Sequence, residues 1–498
     1  MDLGNRRSVS NVLAAGVTVV LLLTVRTDAG DGAATIAPEK SAAKRTTDSA
    51  PQPSSGNELS TAKEARRTYP SLPGAIEKCP DWLKRNAPFD VERYLARIPA
   101  GENAATLYLD ALYEFSPQEM EECIDPAERE TRGPLLKERF DRTVRLQARD
   151  PQTVNPAFRA GIVDEYKESF EKLALAQKRK QCVFEIGIGF ETPYAPHAQA
   201  ARHAVRMLDW RTEVDIAEER IDAALTNVEM ALRLGRDLRP RGNLICQLVS
   251  MALDSITVSN LVPQILAVPD IGAADCNRLL ESLSRHEAEG LDTISEGFRA
   301  SYFVLRELLH RLESKRPIGD FELDRRASAA AAEMTSADFA AEIEALNRFL
   351  LPLFNRPNRT LLGLKHLRPE QEAAADKFKI LEFVVEDVQT LGESVRRHRT
   401  RMGATECLIA LRRWQLTHGN VPPADLAAVC KDAEMMSVPI DEYSEEREAL
   451  RMAKVGNEFV IYSVAKDGKD DMAQRDWNWG ASAGDWIFRL PPIRTRDE

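Results

Sequence analysis

The sequence lacks local motifs that identify several classes of enzyme and nucleotide-binding protein. Its 498 residues contain no HExxH zinc motif and no P-loop, so it carries no local mark of a zinc hydrolase or a P-loop NTPase. The seven cysteines include no CxxC pair, and neither a structural zinc site nor a dense disulfide framework is expected. The formal net charge of −11 lacks the basic balance of a general nucleic-acid binder, so no nucleic-acid partner is expected.

Aromatic residues are also scarce, at 6 % of the chain, whereas alanine, leucine, glutamate and arginine are abundant. This composition favours helices over sheets. Apolar residues recur at three- and four-residue steps through most of residues 71–400, which is the spacing of one helix face. Because no fixed longer period recurs, we expect an irregular helical bundle rather than a regular solenoid. The predicted fold class is therefore mainly α.

Individual helices can be placed within this region. An apolar stripe from Val214 to Leu232 predicts one helix, and a second stripe predicts a helix that ends before Pro263. Short connections join antiparallel neighbours, so these two helices are expected to form a hairpin over 212–262. Further helices are expected at 273–286, 293–313 and 376–400.

An export pattern occupies the N-terminus. Arg6 and Arg7 precede an uncharged apolar run at 12–25. Such a run makes a helix of roughly 21 Å, short for the ~30 Å hydrocarbon core, which favours a signal peptide cleaved near Ala29. An uncleaved membrane anchor is the alternative, because Arg26 follows the apolar run directly. Both alternatives predict an exported protein of the periplasm or cell envelope, and the anchored form would contact the membrane.

Composition divides the chain into four regions. After the export segment at 1–29, residues 30–70 are rich in polar and small side chains and too poor in apolar ones to order themselves, which predicts a disordered linker. The helical domain follows at 71–400. Strand patterns are concentrated in residues 401–498. This last region is expected to form a small α+β module in which one helix packs against a short antiparallel sheet.

The C-terminal module has a recognisable order of elements. A helix predicted at 403–414 leads into a His-Gly-Asn-Val-Pro turn at 418–422. Strands predicted at 458–464 and 484–490 flank an acidic turn at 466–471. Within these elements stand the pair Tyr462-Ser463, the loop Asp467-Gly468-Lys469-Asp470-Asp471 and the closing segment Gly484-Asp485-Trp486-Ile487.

Over about residues 403–491 this order resembles the globular head of type II secretion pseudopilins. The resemblance implies envelope or secretion-system proteins as partners. The N-terminus departs from the family, because it has neither a prepilin leader with a glycine cleavage site nor a glutamate early in the apolar helix. We therefore expect a head reused as a docking module. The whole chain is also similar to exported helical proteins of planctomycete bacteria, a likeness that implies no activity.

The acidic loop is the first candidate site. The pseudopilin resemblance implies that it binds calcium, and calcium takes six to eight oxygen ligands from carboxylates and carbonyls. The candidate ligands are Asp467, Asp470, Asp471 and Asp485, and Asp476 could also contribute. The alternative is an Asp-Gly turn with solvated carboxylates. No other cofactor is expected.

Three tryptophans near the end form the second candidate site. Trp477, Trp479 and Trp486 could bind a carbohydrate or a partner protein, or they could fill the core of the small sheet. The cluster of basic residues at 396–401 is interpreted as a solvated helix face. The cysteines are expected to be small core residues, although a Cys407–Cys430 bridge could tie the C-terminal helix to the segment after it in an oxidising compartment.

The order of export segment, linker, helices and α+β module favours a non-enzymatic interaction or scaffold protein of the cell envelope. The alternative is a small-molecule receptor or an enzyme whose site lies between the helices. Its polar groups would then come from distant parts of the chain, and no local motif would reveal them.

Overall fold

The computed structural model describes residues 79–494 except 100, 125, 148–154, 185–194, 291, 317–327, 330, 356–381, 420 and 478–482. The predicted export segment at 1–29, the predicted linker at 30–70 and Trp479 therefore lie outside the described residues. What is described is mainly helical, with a small sheet near the C-terminus, and this confirms the predicted fold class.

The described residues form fifteen α-helices and three strands, in chain order. They are α1 (Asp81–Lys84), α2 (Val91–Leu95), α3 (Ala105–Phe115), α4 (Pro126–Gln147), α5 (Pro156–Glu165), α6 (Lys167–Ala176), α7 (Pro196–Ala217), α8 (Ile221–Asp237), α9 (Leu244–Ile256), α10 (Val262–Leu266), α11 (Ala273–Glu289), α12 (Thr293–Glu313), α13 (Ser336–Asn355), α14 (Glu382–His418) and α15 (Leu426–Asp432). The strands are β1 (Arg451–Val455), β2 (Glu458–Ser463) and β3 (Trp486–Arg489). Helices α7, α8 and α9 pack on one another, and α9 also contacts α12 and α14.

Two predicted helices are confirmed and one is wrong. Helix α12 has the predicted bounds, and α11 runs three residues beyond its predicted end. The stripe from Val214 to Leu232, however, crosses a turn between α7 and α8. Glu219 has a φ of 58° there, the left-handed geometry that commonly ends a helix. Apolar residues on both sides of the turn face the same core, so the stripe continues although the backbone reverses.

Helix α9 ends at Ile256, before Pro263 as predicted, but the helical path continues beyond it. A π-helical turn, Thr257–Leu261, joins it to α10. In this turn the Val262 N–H donates to the carbonyl oxygen of Thr257, and the wider geometry relieves the clash that a proline ring makes with the preceding turn of an α-helix. Within the described part of the chain, the segment Leu244–Leu266 is long and apolar enough to cross a membrane, although 61 % of its most apolar window is buried inside the fold, as in a core helix.

Helix α14 joins what the sequence predicts as two helices, at 376–400 and 403–414. It has 37 residues and passes through position 400 without a break. Arg412 lies near its C-terminal end and donates to the carbonyl oxygens of Leu266 (3.1 Å) and Pro491 (3.1 Å). The residues after 401 are thus bonded directly to the end of α10.

The sheet has the order β1-β2-β3 and is antiparallel throughout. Met452 pairs with Ile461, and Ile461 pairs with Phe488. The predicted strands at 458–464 and 484–490 correspond to β2 and β3, but β1 was not predicted. The two-residue Gly456-Asn457 turn before β2 could have revealed it, because Gly456 has a φ of 62° and such turns join hairpin strands.

One face of the sheet packs against α14 and α15. The shared core contains Cys407 and Leu411 of α14, Val429 and Cys430 of α15, and Ile461 of β2. The prediction of a helix on a short antiparallel sheet is therefore confirmed for residues after 401.

Candidate ligand-binding cavity

The acidic loop gathers the predicted calcium ligands, but its carboxylates already accept hydrogen bonds. Buried Asp485 accepts from the backbone N–H groups of Asp471 (3.3 Å) and Ala473 (2.7 Å). Asp467 accepts from the backbone N–H groups of Lys469 (3.1 Å) and Gly484 (3.2 Å). Such bonds fix a tight loop, as in an Asx-turn.

Two further aspartates of this loop make ion pairs. Asp470 Oδ2 lies 3.2 Å from Arg451 Nε, and Asp476 Oδ2 lies 3.3 Å from Arg489 Nη1. Among the residues that the structure describes, no group of three or more carboxylate, histidine or cysteine side chains is arranged to hold a metal ion. The calcium site at Asp467, Asp470, Asp471 and Asp485 stays a prediction.

The tryptophans contact each other and the long helix. Trp477 is buried, and its ring centroid lies 5.9 Å from that of Trp486 in an edge-to-face arrangement. Trp486 is half-buried against Phe488, and the Arg401 guanidinium of α14 lies 5.2 Å from its ring centroid. Trp477 and Trp486 thus take part in packing the module, and their role in binding a partner stays a prediction.

A larger candidate site lies between α11, α14 and the segment at 433–442. These elements enclose a cavity of about 1130 Å³. This volume is slightly above the usual range for small-molecule sites, ~300–1,000 Å³. Gly403 lets the segment approach α14 closely, because a Cβ atom there would lie 2.6 Å from Pro439 Cβ.

A buried polar cluster forms the inner end of this cavity. Asp254 of α9 is fully buried, and its Oδ2 accepts a hydrogen bond of 2.7 Å from Arg239 Nη2. His286 Nε2 of α11 lies 3.1 Å from the same oxygen. Ser250, one turn before Asp254, accepts a bond of 2.9 Å from Arg239 Nε. Gly235 permits this packing, since a Cβ atom there would lie 2.6 Å from Asp254 Oδ1.

Arg239 and Asp254 form a buried ion pair within this cluster. Burial alone would raise the pKa of Asp254, but the charges of His286 and Arg239 outweigh burial and hold that pKa well below its usual range. Asp254 is therefore ionised, and Arg239 is neutralised by it. His398 of α14 lies 3.6 Å from Asp254 Oδ2. Burial lowers the pKa of His398 to about 3, so its ring is neutral at pH 7.

The cavity wall carries carboxyl groups with a different environment. Glu406 of α14 is half-buried, and no described residue donates a hydrogen bond to its carboxyl group. Burial, reinforced by the charge of Glu287, raises the pKa of Glu406 to about 8. Burial also raises the pKa of Glu287. The side chain of Glu287 is exposed to the cavity, so we expect a weaker effect there than at Glu406.

Acidic groups outnumber guanidinium groups on the wall. Among the described residues, the lining contains six carboxyl groups and three guanidinium groups. One guanidinium, that of Arg239, is paired with Asp254. A second, that of Arg399, lies 3.8 Å from the carboxylate of Glu442. The wall therefore has an excess of negative charge once its acids ionise.

The interpretation of residues 396–401 as a solvated face is wrong. Thr400 is fully buried, and His398 and Arg399 line the cavity. The basic residues do not face bulk solvent together because α14 is covered by α11 on one side and by the C-terminal segment on another.

Sequence reasoning missed the cluster because its members stand on separate helices. One local pattern could have pointed to it. Gln247, Ser250 and Asp254 of the mostly apolar α9 and Thr257 of the following π turn recur at three- and four-residue steps, and all four are buried. A polar stripe on a buried helix requires partners, since an unpaired buried polar group is costly.

A further motif escaped the sequence analysis as well. The letters Gly480-Ala481-Ser482-Ala483-Gly484 match G-x-S-x-G, the nucleophile elbow of many hydrolases. The elbow requires a strand before the serine and a helix after it. Here the chain continues into strand β3, and residues 478–482 lie outside the described residues. We therefore attach no catalytic role to the match.

Comparisons with known proteins return no relative of this chain. No family model matches it, and no curated protein and no solved structure matches it either. The resemblance to pseudopilin heads stays a prediction.

Proposed function

We propose that the protein is a receptor for a small cationic molecule, which binds in the cavity between α11 and α14. The observation that carries this proposal is the half-buried Glu406 carboxyl group, which has no hydrogen-bond donor among the described residues and faces a wall rich in acids. When it is ionised, this half-buried carboxylate has no protein donor, and a cationic ligand would supply the compensating charge.

The inner cluster supports the same ligand class. Arg239 would repel a cation if its charge were exposed, but Asp254 accepts its hydrogen bond at 2.7 Å and neutralises it. His398 is neutral at pH 7 because of its low pKa. The Arg239–Asp254 pair therefore adds no net charge at the inner end, whereas Glu406 and Glu287 provide negative charge when they are ionised. Met435, Val438 and Pro439 add apolar surface for the body of the ligand.

Thermal shift with defined probes tests the proposal. The probes are spermidine, putrescine, choline and arginine as cations, with citrate and glucose as an anion and a neutral molecule. A cation at 100 times its dissociation constant should stabilise the folded protein by about 2.7 kcal/mol. The Glu406→Gln variant should lose this response, and the Glu344→Gln variant should keep it, because Glu344 is 71 % exposed on the distant α13.

The dependence of binding on pH sharpens the test. A cation that pairs with Glu406 must displace its proton, so the affinity should rise as the pH approaches 8 and level off above it. If citrate or glucose stabilised the protein more than every cation, or if Glu406→Gln left a cation response unchanged, the proposal would be wrong.

A docking role in the cell envelope is the second candidate function. The exposed apolar side chains of Leu416 and Val421, 40 % and 58 % exposed, favour it, because they lie together where α14 leads toward α15. In-vivo crosslinking of the full chain tests this role. Leu416→Ser with Val421→Ser should abolish capture of envelope proteins, whereas Ile493→Ser, which replaces a side chain that is 54 % exposed elsewhere, should not. Equal capture by both variants would argue against docking through Leu416 and Val421.

A further inference from the structure

Two cysteines meet in the core between α14 and α15. Cys407 and Cys430 are both buried, with exposed fractions of 0 % and 1 %, and both belong to the cluster that includes Leu411 and Val429. The two thiol groups interact with each other in this core. A disulfide of ~2.05 Å requires the two sulfur atoms to move closer together.

The two thiols differ in their acidity. The hydrogen bond to Cys430, together with burial, raises the pKa of Cys407 well above its ordinary value. The same hydrogen bond lowers the pKa of Cys430. Since the thiolate is the reactive form, Cys430 is the first nucleophile of the pair. Cys246 has a different setting, because it lies 3.6 Å from a ring nitrogen of buried His197 and burial raises its pKa to about 12.

We propose that Cys407 and Cys430 are a redox pair whose disulfide fastens α15 to α14 and fixes the wall of the cavity. The oxidant is a low-molecular-weight or protein disulfide. The Cys430 thiolate attacks one sulfur atom of that disulfide and releases one thiolate from it, leaving a mixed disulfide. The Cys407 thiolate then attacks the Cys430 sulfur and releases the second thiol. Two electrons and two protons pass from the cysteines to the oxidant, which leaves as two thiols.

The position of α15 explains how the buried pair is reached and what its oxidation changes. Helix α15 has only seven residues and packs on α14 through the cluster that contains the pair. Local opening of such a short element exposes both thiols without global unfolding. The chain after α15 forms the cavity wall from Ala433 to Ile440, and Cys407 adjoins Glu406. If the proposed receptor function holds, oxidation would therefore also change the affinity for the cation.

The test uses the full chain. One sample is kept in dithiothreitol, and the other is incubated to equilibrium with glutathione disulfide a few degrees below its melting temperature. Free thiols are then alkylated and the peptides are mapped by mass. We expect one linked pair of peptides, containing Cys407 and Cys430 and lighter by two hydrogen atoms. The melting temperature should be a few degrees higher in the oxidised sample, because the crosslink restricts the unfolded chain.

Two variants complete the experiment. Cys430→Ala should abolish the linked peptides and the difference between the two melting temperatures. Cys276→Ala, which removes a buried thiol of α11, should retain both. Alkylation of both Cys407 and Cys430 after the incubation, or mapping of Cys407 to another cysteine, would overturn the proposal. The peptide map is read without any ligand, so a failure of the receptor proposal would leave this result unchanged.

Discussion

The acidic loop around Asp485 and the cavity around Glu406 both gather carboxyl groups, but the two regions surround these groups with different partners. In the loop, backbone N–H groups and arginines donate to the carboxylates over short sequence distances. In the cavity, Glu406 has no donor among the described residues, and the charge of Glu287, on α11, raises its pKa further. The comparison shows that a dense acidic sequence can satisfy itself locally, whereas an isolated glutamate on a helix can be left for a ligand.

A buried ion cluster stands beside the cavity and has no counterpart in the loop, and breaking it should have the largest effect. Asp254→Ala leaves Arg239 buried without its carboxylate and opens space next to His286. We expect a loss of about 3–5 kcal/mol in the free energy of unfolding, measured by urea denaturation. Asp222→Ala is the control, because this aspartate is 97 % exposed and should cost little. A loss below ~1 kcal/mol for Asp254→Ala would contradict the role of the cluster.

Glu406→Gln should change how stability depends on pH. The carboxyl group of Glu406 has a pKa of about 8 in the folded state and 4.5 as its ordinary value. Between these values the folded chain holds a proton that the unfolded chain has released, so stability falls as the pH rises from 4.5 to 8.

The Glu406→Gln variant should not lose stability between pH 4.5 and pH 8 in this way. Its free energy of unfolding should exceed that of the wild type by up to about 4 kcal/mol at pH 9 and match it near pH 4.5. Urea denaturation across this range measures the difference, and Glu344→Gln serves as the control. Parallel curves for wild type and Glu406→Gln would show that Glu406 titrates normally and is not held neutral by the cavity.

His398→Gln should act at the acidic end of the range. Burial lowers the pKa of His398 from 6.5 to about 3. Between these pH values the unfolded chain therefore binds a proton that the folded chain does not bind. Wild-type stability is therefore lost as the pH falls below 6.5. At pH 5 the loss in the free energy of unfolding is about 2 kcal/mol, and His398→Gln should not show this loss. An unchanged acid-denaturation midpoint would argue against a buried neutral imidazole.

A substitution in the acidic loop should have the smallest effect on stability. Asp470 pairs with Arg451 but is 40 % exposed. Asp470→Ala is therefore expected to cost less than about 1 kcal/mol. The calcium prediction expects millimolar calcium to raise the melting temperature of the wild type but not of this variant. A melting temperature that calcium leaves unchanged in both proteins would rule the site out.

Much of the architecture could be predicted because it follows from local periodicity. The apolar spacing located α11 and α12, and alternation located β2 and β3. The errors occurred where tertiary contacts decide the backbone. The stripe from Val214 to Leu232 crosses a turn, and α14 passes through residue 400.

The candidate cavity could not be predicted in the same way. In the sequence, His286 belongs to no zinc motif, and residues 396–401 were interpreted as a solvated face. Asp254 and His286 are 32 residues apart in the chain and meet only because α9 and α11 pack around Arg239. A polar side chain shows no local sign of its distant partner.

The sequence by itself determined the helical class, the small C-terminal sheet and the helix that covers it, because short-range spacing dictates which faces must be buried. Tertiary structure alone decided that Arg239 and Asp254 pair beside His286, and that Glu406 stands without a donor among the described residues. The sequence suggested that Cys407 and Cys430 could pair, and the fold places both in one core. The physical reason is that the pKa of a group and its hydrogen-bond partners depend on the atoms packed around it. Most of those atoms belong to residues far away in the chain.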